Sequence, residues 1–113
     1  MTARLASAVF VSALIREVHA RGGSAMVLAK GDPTAGALLL LCADKGRITG
    51  AYEYVLAPSG DYVWAATGAQ DIENPQSVDA LCARRRRIDP DLWIVELDVA
   101  YAERLIVELS GRD

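Results

Sequence analysis

Six consecutive residues, Ala37-Leu38-Leu39-Leu40-Leu41-Cys42, carry no charged or amide side chain. A strand with one wet face alternates in polarity, so a run that is apolar at every position needs cover on both faces, as a central strand between two layers has. The rest of the chain must supply that cover. With 113 residues, 52% of them hydrophobic and 24% charged, there is material for one such core and too little for two. Residues 1–113 therefore read as a single domain.

The surrounding pattern supplies the layers. Val11, Leu14, Ile15 and Val18 share one helical face from Phe10 onward, with Leu5 and Val9 off the stripe, and Arg21 with Gly22-Gly23 closes the helix. Strand-like runs follow at Ser24 to Lys30, Ala37 to Ala43, Arg47 to Ala57 and Tyr62 to Ala66. Asp44-Lys45-Gly46-Arg47 and Pro58-Ser59-Gly60-Asp61 are turn chemistry, with Gly46 expected at positive φ and Gly50 expected to mark a bulge. Together these runs read as an antiparallel meander.

Beyond a polar loop, Thr67 to Asn74, the pair Asn74-Pro75 opens a second helix with Val78, Leu81, Cys82 and Ile88 on its core side. Asp89-Pro90-Asp91 ends it, because the residue before a proline is pushed out of the helical region. Leu92 to Asp98 is a fifth strand. The tail, Arg104 to Leu109, fits either period and is read as a strand that hairpins back. The expected fold is α+β, a mostly antiparallel five- to six-stranded sheet packed by two helices, in the order α-β-β-β-β-α-β-(β).

Several function classes are hard to reach from these residues. A net charge of −3 offers no general attraction to nucleic acid or anionic membrane. The apolar run Leu5 to Ile15 is interrupted by serines, is followed at once by Arg16-Glu17 and falls short of the roughly 20 residues a bilayer needs. A cytoplasmic protein without membrane attachment is expected. Cys42 and Cys82 lie outside any CxxC pattern, so they are read as free core thiols with no disulfide and no metal. No cofactor is implied.

Five groups of residues remain as site candidates. Gly31 to Gly36 repeats the glycine spacing of a phosphate loop, but Ala37-Leu38 stands where Lys-Ser/Thr belongs and a strand follows instead of a helix. What survives is a turn, or a small polar ligand pocket using Lys30, Asp32 and Thr34, which together with Glu53 would be the enzyme reading. His19 sits on the polar face of helix one with no nucleophile or metal partner identified, and Glu53, Asp61 and Asp71 would have to converge to hold a metal.

Arg84 to Arg87 fan out around a helix, so they cannot all face one phosphate backbone, and strong nucleic-acid binding is not expected. Arg85 falls inside the apolar arc. Either the helix has unwound there and Arg85 is solvated, or it forms a buried ion pair, with Glu96 the favoured partner and Asp98 or Glu53 as alternatives. Trp64 and Trp93 are core residues or interface anchors.

Three segments carry a resemblance. Val11-Ser12-Ala13-Leu14-Ile15-Arg16, Lys30-Gly31-Asp32-Pro33-Thr34-Ala35-Gly36-Ala37 and Asp89-Pro90-Asp91-Leu92-Trp93-Ile94-Val95-Glu96 occur in this order and spacing in a family of small alphaproteobacterial proteins, and the chain resembles that family, DUF1491. The resemblance implies a bacterial cytoplasmic origin and a shared fold. It implies no activity, substrate or catalytic residue. With no complete catalytic constellation present, the leading reading is a non-catalytic binding or protein-interaction domain, its partner another protein or a further copy of the chain. The alternatives are the small enzyme and an RNA-associated accessory protein using the arginines.

Overall fold

The computed structural model describes residues 6–67 and 72–110. Its elements are α1 (Ser7–Ala20), β1 (Ser24–Ala29), β2 (Leu38–Asp44), β3 (Arg47–Leu56), β4 (Tyr62–Ala66), α2 (Pro75–Ile88), β5 (Trp93–Asp98) and α3 (Ala102–Ser110). The fold is α+β, as expected, with a mostly antiparallel sheet containing one parallel pair and a third helix.

Strand β2 is where its composition requires it to be. Leu38 to Ala43 are all buried, because β2 lies in the middle of the sheet between β5 and β3. Leu38, Leu40 and Cys42 join Trp93, Val95 and Leu97 beneath α1 and α3, whereas Leu39, Leu41 and Ile94 meet Val78 and Leu81 of α2 on the other face. Two layers of helix thus cover the two central strands.

Local turn chemistry also holds. Lys45 and Gly46 both take positive φ, 53° and 84°, in the β2–β3 turn. Next to Gly50 the register slips: Cys42 pairs with Gly50 but Ala43 with Ile48, which leaves Thr49 as the extra residue of a bulge. Asn74 caps α2 by accepting the Gln76 N–H at 2.9 Å, and α2 stops at Ile88 just before Asp89-Pro90.

Four expectations are corrected. The meander holds only for β2-β3-β4, because the sheet order is β1-β5-β2-β3-β4 and β5 occupies the place beside β2 that β1 was expected to take. Strand β5 runs parallel to β2 and antiparallel to β1. The tail is helix α3 and not a returning strand, since Ala102, Leu105 and Ile106 are buried and Leu109 packs with them, while Val107, the residue that made the alternation look strand-like, is 61% exposed. Helix α1 already begins at Ser7, with Val9 on its outer side; Leu5 lies outside the described residues. Ile88, assigned to the core side of α2, is 74% exposed because the helix ends there.

Candidate functional site

Inserting β5 between β1 and β2 leaves the link 30–37 a gap of two strand spacings to cross, roughly 10 Å. It crosses over the start of β5, so the two segments meet. Asp32 N–H donates to Asp91 O at 3.0 Å, and Trp93 N–H donates to Ala37 O at 2.9 Å. The Trp93 indole Nε1 donates to Asp32 O at 2.7 Å.

The same link holds the start of α1. Ala6 offers no side-chain cap, and the first helical N–H groups instead reach the link, Ser7 to Thr34 O at 3.2 Å and Ala8 to Pro33 O at 2.9 Å. Ser7 Oγ adds a bond to Gly36 O at 2.6 Å. From the other side the Arg86 guanidinium donates through Nη1 to Pro90 O at 2.6 Å, Leu92 O at 2.8 Å and Lys30 O at 3.3 Å. Link, α1 start, α2 end and β5 start form one knot.

That knot accounts for the ligand candidates. The Asp32 carboxylate accepts the N–H groups of Thr34 at 3.1 Å and Ala35 at 2.8 Å, an Asx turn that uses it to shape its own loop. Lys30 and Thr34 are exposed. The structure does not bring Glu53 to this loop, since Glu53 pairs instead with Arg85 across the face under α2.

Arg85 is in an ion pair, but its partner is Glu53 of β3 and not Glu96. The two side chains are 27% and 17% exposed. Glu53 Oε1 is shut off from solvent and meets no donor in regular hydrogen-bond geometry among the described residues, so its compensation is ionic. The partner differs for a reason of helix geometry. Arg86 is the arginine that reaches β5, and Arg85, about 100° round the helix, faces the β3 side. Glu96 sits on β5 opposite Met26 and Leu41, and Asp98 is spent on the β2–β3 turn, accepting the Lys45 and Gly46 N–H groups at 2.8 Å each.

The remaining chemistry is weak. A cleft of about 300 Å³ is lined by Asp44, Thr49, Val99, Tyr101 and Glu103 among others. Tyr101, at φ 61°, makes the sharp turn from β5 into α3. Thr49 Oγ1 lies 3.3 Å from both Cys42 O and a Glu103 carboxylate oxygen. Burial first, and the Glu103 charge second, push the Cys42 thiol from its ordinary 9.0 up to about 12. Burial also raises Cys82 and Tyr52. These groups stay protonated at neutral pH, so neither cysteine is an activated nucleophile.

Cys42 and Cys82 pack on opposite faces of the sheet. His19 is exposed, and no group of three or more metal-ligating side chains is found among the described residues; Asp71 lies outside them. Native protein at pH 8 should leave Cys42 unmodified by iodoacetamide, whereas both thiols should react in denaturant. Because the folded thiol titrates higher than the unfolded one, its contribution to stability is complete below about pH 9 and is lost as pH rises toward 12. Mass spectrometry of the alkylated chain as a function of pH checks both points.

Of the tryptophans, Trp93 is buried and Trp64 is half-buried, stacked 6.2 Å from Phe10 and tilted 4.8 Å from Tyr54. The feature that sequence reasoning passed over is an edge. Strand β1 has β5 on one side and no described strand on the other, and Met26, Val27 and Leu28 are 60%, 39% and 47% exposed. The missing charges of Ser24 to Ala29 were legible, but only the observed strand order shows that this strand ends the sheet.

No helix among the described residues is long and apolar enough to cross a membrane. No curated protein matches the chain. Solved structures do. An NMR structure of a DUF1491 family protein from Caulobacter crescentus is 30% identical, with a TM-score of 0.76 over 89% of this chain and 91% of that one. A protein from A. tumefaciens, solved in solution, is 34% identical with a TM-score of 0.70, covering 86% of this chain and 87% of that chain. A crystal structure of a DUF1491 family protein from C. crescentus is 33% identical with a TM-score of 0.66, over 82% and 86% of the two chains. The family model described as a protein of unknown function matches residues 5–107, nearly the whole knot-and-sheet assembly, and the chain belongs to the DUF1491 family.

Proposed function

We propose that the protein is a non-catalytic, cytoplasmic interaction module that takes a strand of a partner polypeptide onto the free edge of β1. The observation that carries this reading is the chemistry of that edge. Natural sheets protect edge strands with charges, prolines, bulges or a covering element. Ser24 to Ala29 contains no charge and no proline, and three successive apolar side chains are open to solvent. Among the described residues, a bulge between Val27 and Ala29 is the protective device found there. Main-chain hydrogen bonds would give affinity, and the alternating side chains selectivity.

The reading is also supported by what the polar residues already do. Asp32, Asp98 and Arg86 are engaged in holding turns, Arg85 in an ion pair, and both thiols are raised. Only Arg84 and Arg87 of the arginine run are exposed, so strong nucleic-acid binding is no part of the proposal. The test places a photo-crosslinking side chain at Val27 and, as control, at exposed Ala80 on α2. Polypeptide adducts in the native cytosol are expected at position 27 and not at 80. Absence of adducts at position 27 overturns the reading.

A further inference from the structure

We infer that the strand added to β1 is β1 of a second copy, the two pairing antiparallel about a two-fold axis into one ten-stranded sheet; this rests on the strand-addition reading. A two-fold axis sets the residue beside it against its own copy, so a charge at the centre of the strand would repel itself. From Gly22 to Ala29 there is none. The bulge between Val27 and Ala29 leaves Ser24 to Val27 as the regular stretch, and a two-fold axis beside Met26 or Val27 falls within it.

The charges at the two ends select the orientation. At the start of β1, Arg21 is bridged to Glu17 at 3.2 Å and to Glu108 at 3.1 Å, one cation between two carboxylates. That end is net negative. At the finish stands Lys30, exposed, whose backbone carbonyl is held by Arg86 and for whose ammonium no ion pair is found among the described residues. Antiparallel pairing about Val27 carries Lys30, just past the bulge and the end of β1, toward the Ser24 end of the other chain, the end that follows Arg21 and its two carboxylates. The symmetry makes this contact twice. Parallel pairing would instead set the two acidic ends together and the two lysines together.

Sedimentation of the purified full chain from about 10 µM to about 1 mM, at low and high salt, tests the inference. A monomer–dimer equilibrium that weakens with salt is expected. Val27→Lys should raise the dimer dissociation constant at least about tenfold, with circular dichroism unchanged and melting unchanged at dilutions where both chains are monomeric. Lys30→Glu should raise it several-fold, and Lys30→Glu combined with Glu108→Lys should restore part of the loss. A chain that stays monomeric to about 1 mM, or a dimer indifferent to Val27→Lys or to the charge exchange, overturns the inference. The failures are distinguishable. Monomeric protein with adducts to other polypeptides at position 27 refutes self-pairing alone, whereas monomeric protein with no adducts refutes the strand-addition reading too.

Discussion

Gly31→Ala is expected to cost the fold about 3 kcal/mol or more, a large part of the stability of a domain this size. A Cβ at position 31 would point at the Asp91 carbonyl, lie 2.7 Å from Trp93 Cδ1 and lie 2.8 Å from the Leu92 carbonyl carbon. Two of the three neighbours are backbone and the third is an indole fixed in the core by its bond to Asp32 O. None can yield cheaply. The link would have to lift off β5, and the caps it provides to α1 would lift with it. Gly46→Ala is the control, since Gly46 has open space around it and its φ of 84° is the only obstacle. That substitution should cost about 1 kcal/mol. Urea unfolding followed by circular dichroism compares the two, and a Gly31→Ala loss no larger than that of Gly46→Ala would contradict the knot as the organiser of the fold.

The arginine run should divide by partner. Arg86→Ala is expected to lose about 2 to 3 kcal/mol, because one charged donor serves the carbonyls of Lys30, Pro90 and Leu92 and the last of these is partly buried. Arg86→Lys should recover only part, since a single ammonium lacks the guanidinium's reach and fork. Arg85→Ala should lose about 1 to 2 kcal/mol, between the value of a surface pair and that of a fully buried one, as partial exposure of both partners dictates. A double-mutant cycle of Arg85→Met with Glu53→Gln isolates the coupling. Arg84→Ala and Arg87→Ala, both exposed, should stay within about 0.5 kcal/mol. Equal small losses at all four positions would return the run to a solvated helix end.

Residues that bind their own neighbours were readable in order along the chain. The Lys45-Gly46 turn, the Asn74 cap and the stop at Asp89-Pro90 depend on φ preferences and hydrogen bonds within a few residues, and each lies where local chemistry puts it. Two-sided burial of β2 was legible for a related reason: apolar side chains on both faces cannot be left in water whatever the topology. The resemblance segments were legible as sequence, but their purpose was not. Two of the three, Lys30 to Ala37 and Asp89 to Glu96, are the segments that hydrogen-bond to each other where the 30–37 link passes over β5.

Only the tertiary structure decided which strand lies beside β2, because strand pairing across 50 residues leaves no local periodicity to read. From that one placement follows the gap crossed by 30–37, whereas the choice of Glu53 over Glu96 follows from the side of α2 on which Arg85 lies. The tail was decided the same way. Leu105 and Leu109 suit either period, and as a helix the segment buries Ala102, Leu105 and Ile106 together in the core over the sheet, after the turn at Tyr101. Local sequence set the turns, the caps and which residues must leave water; the free energy of burying them together, summed over the whole chain, set the neighbours.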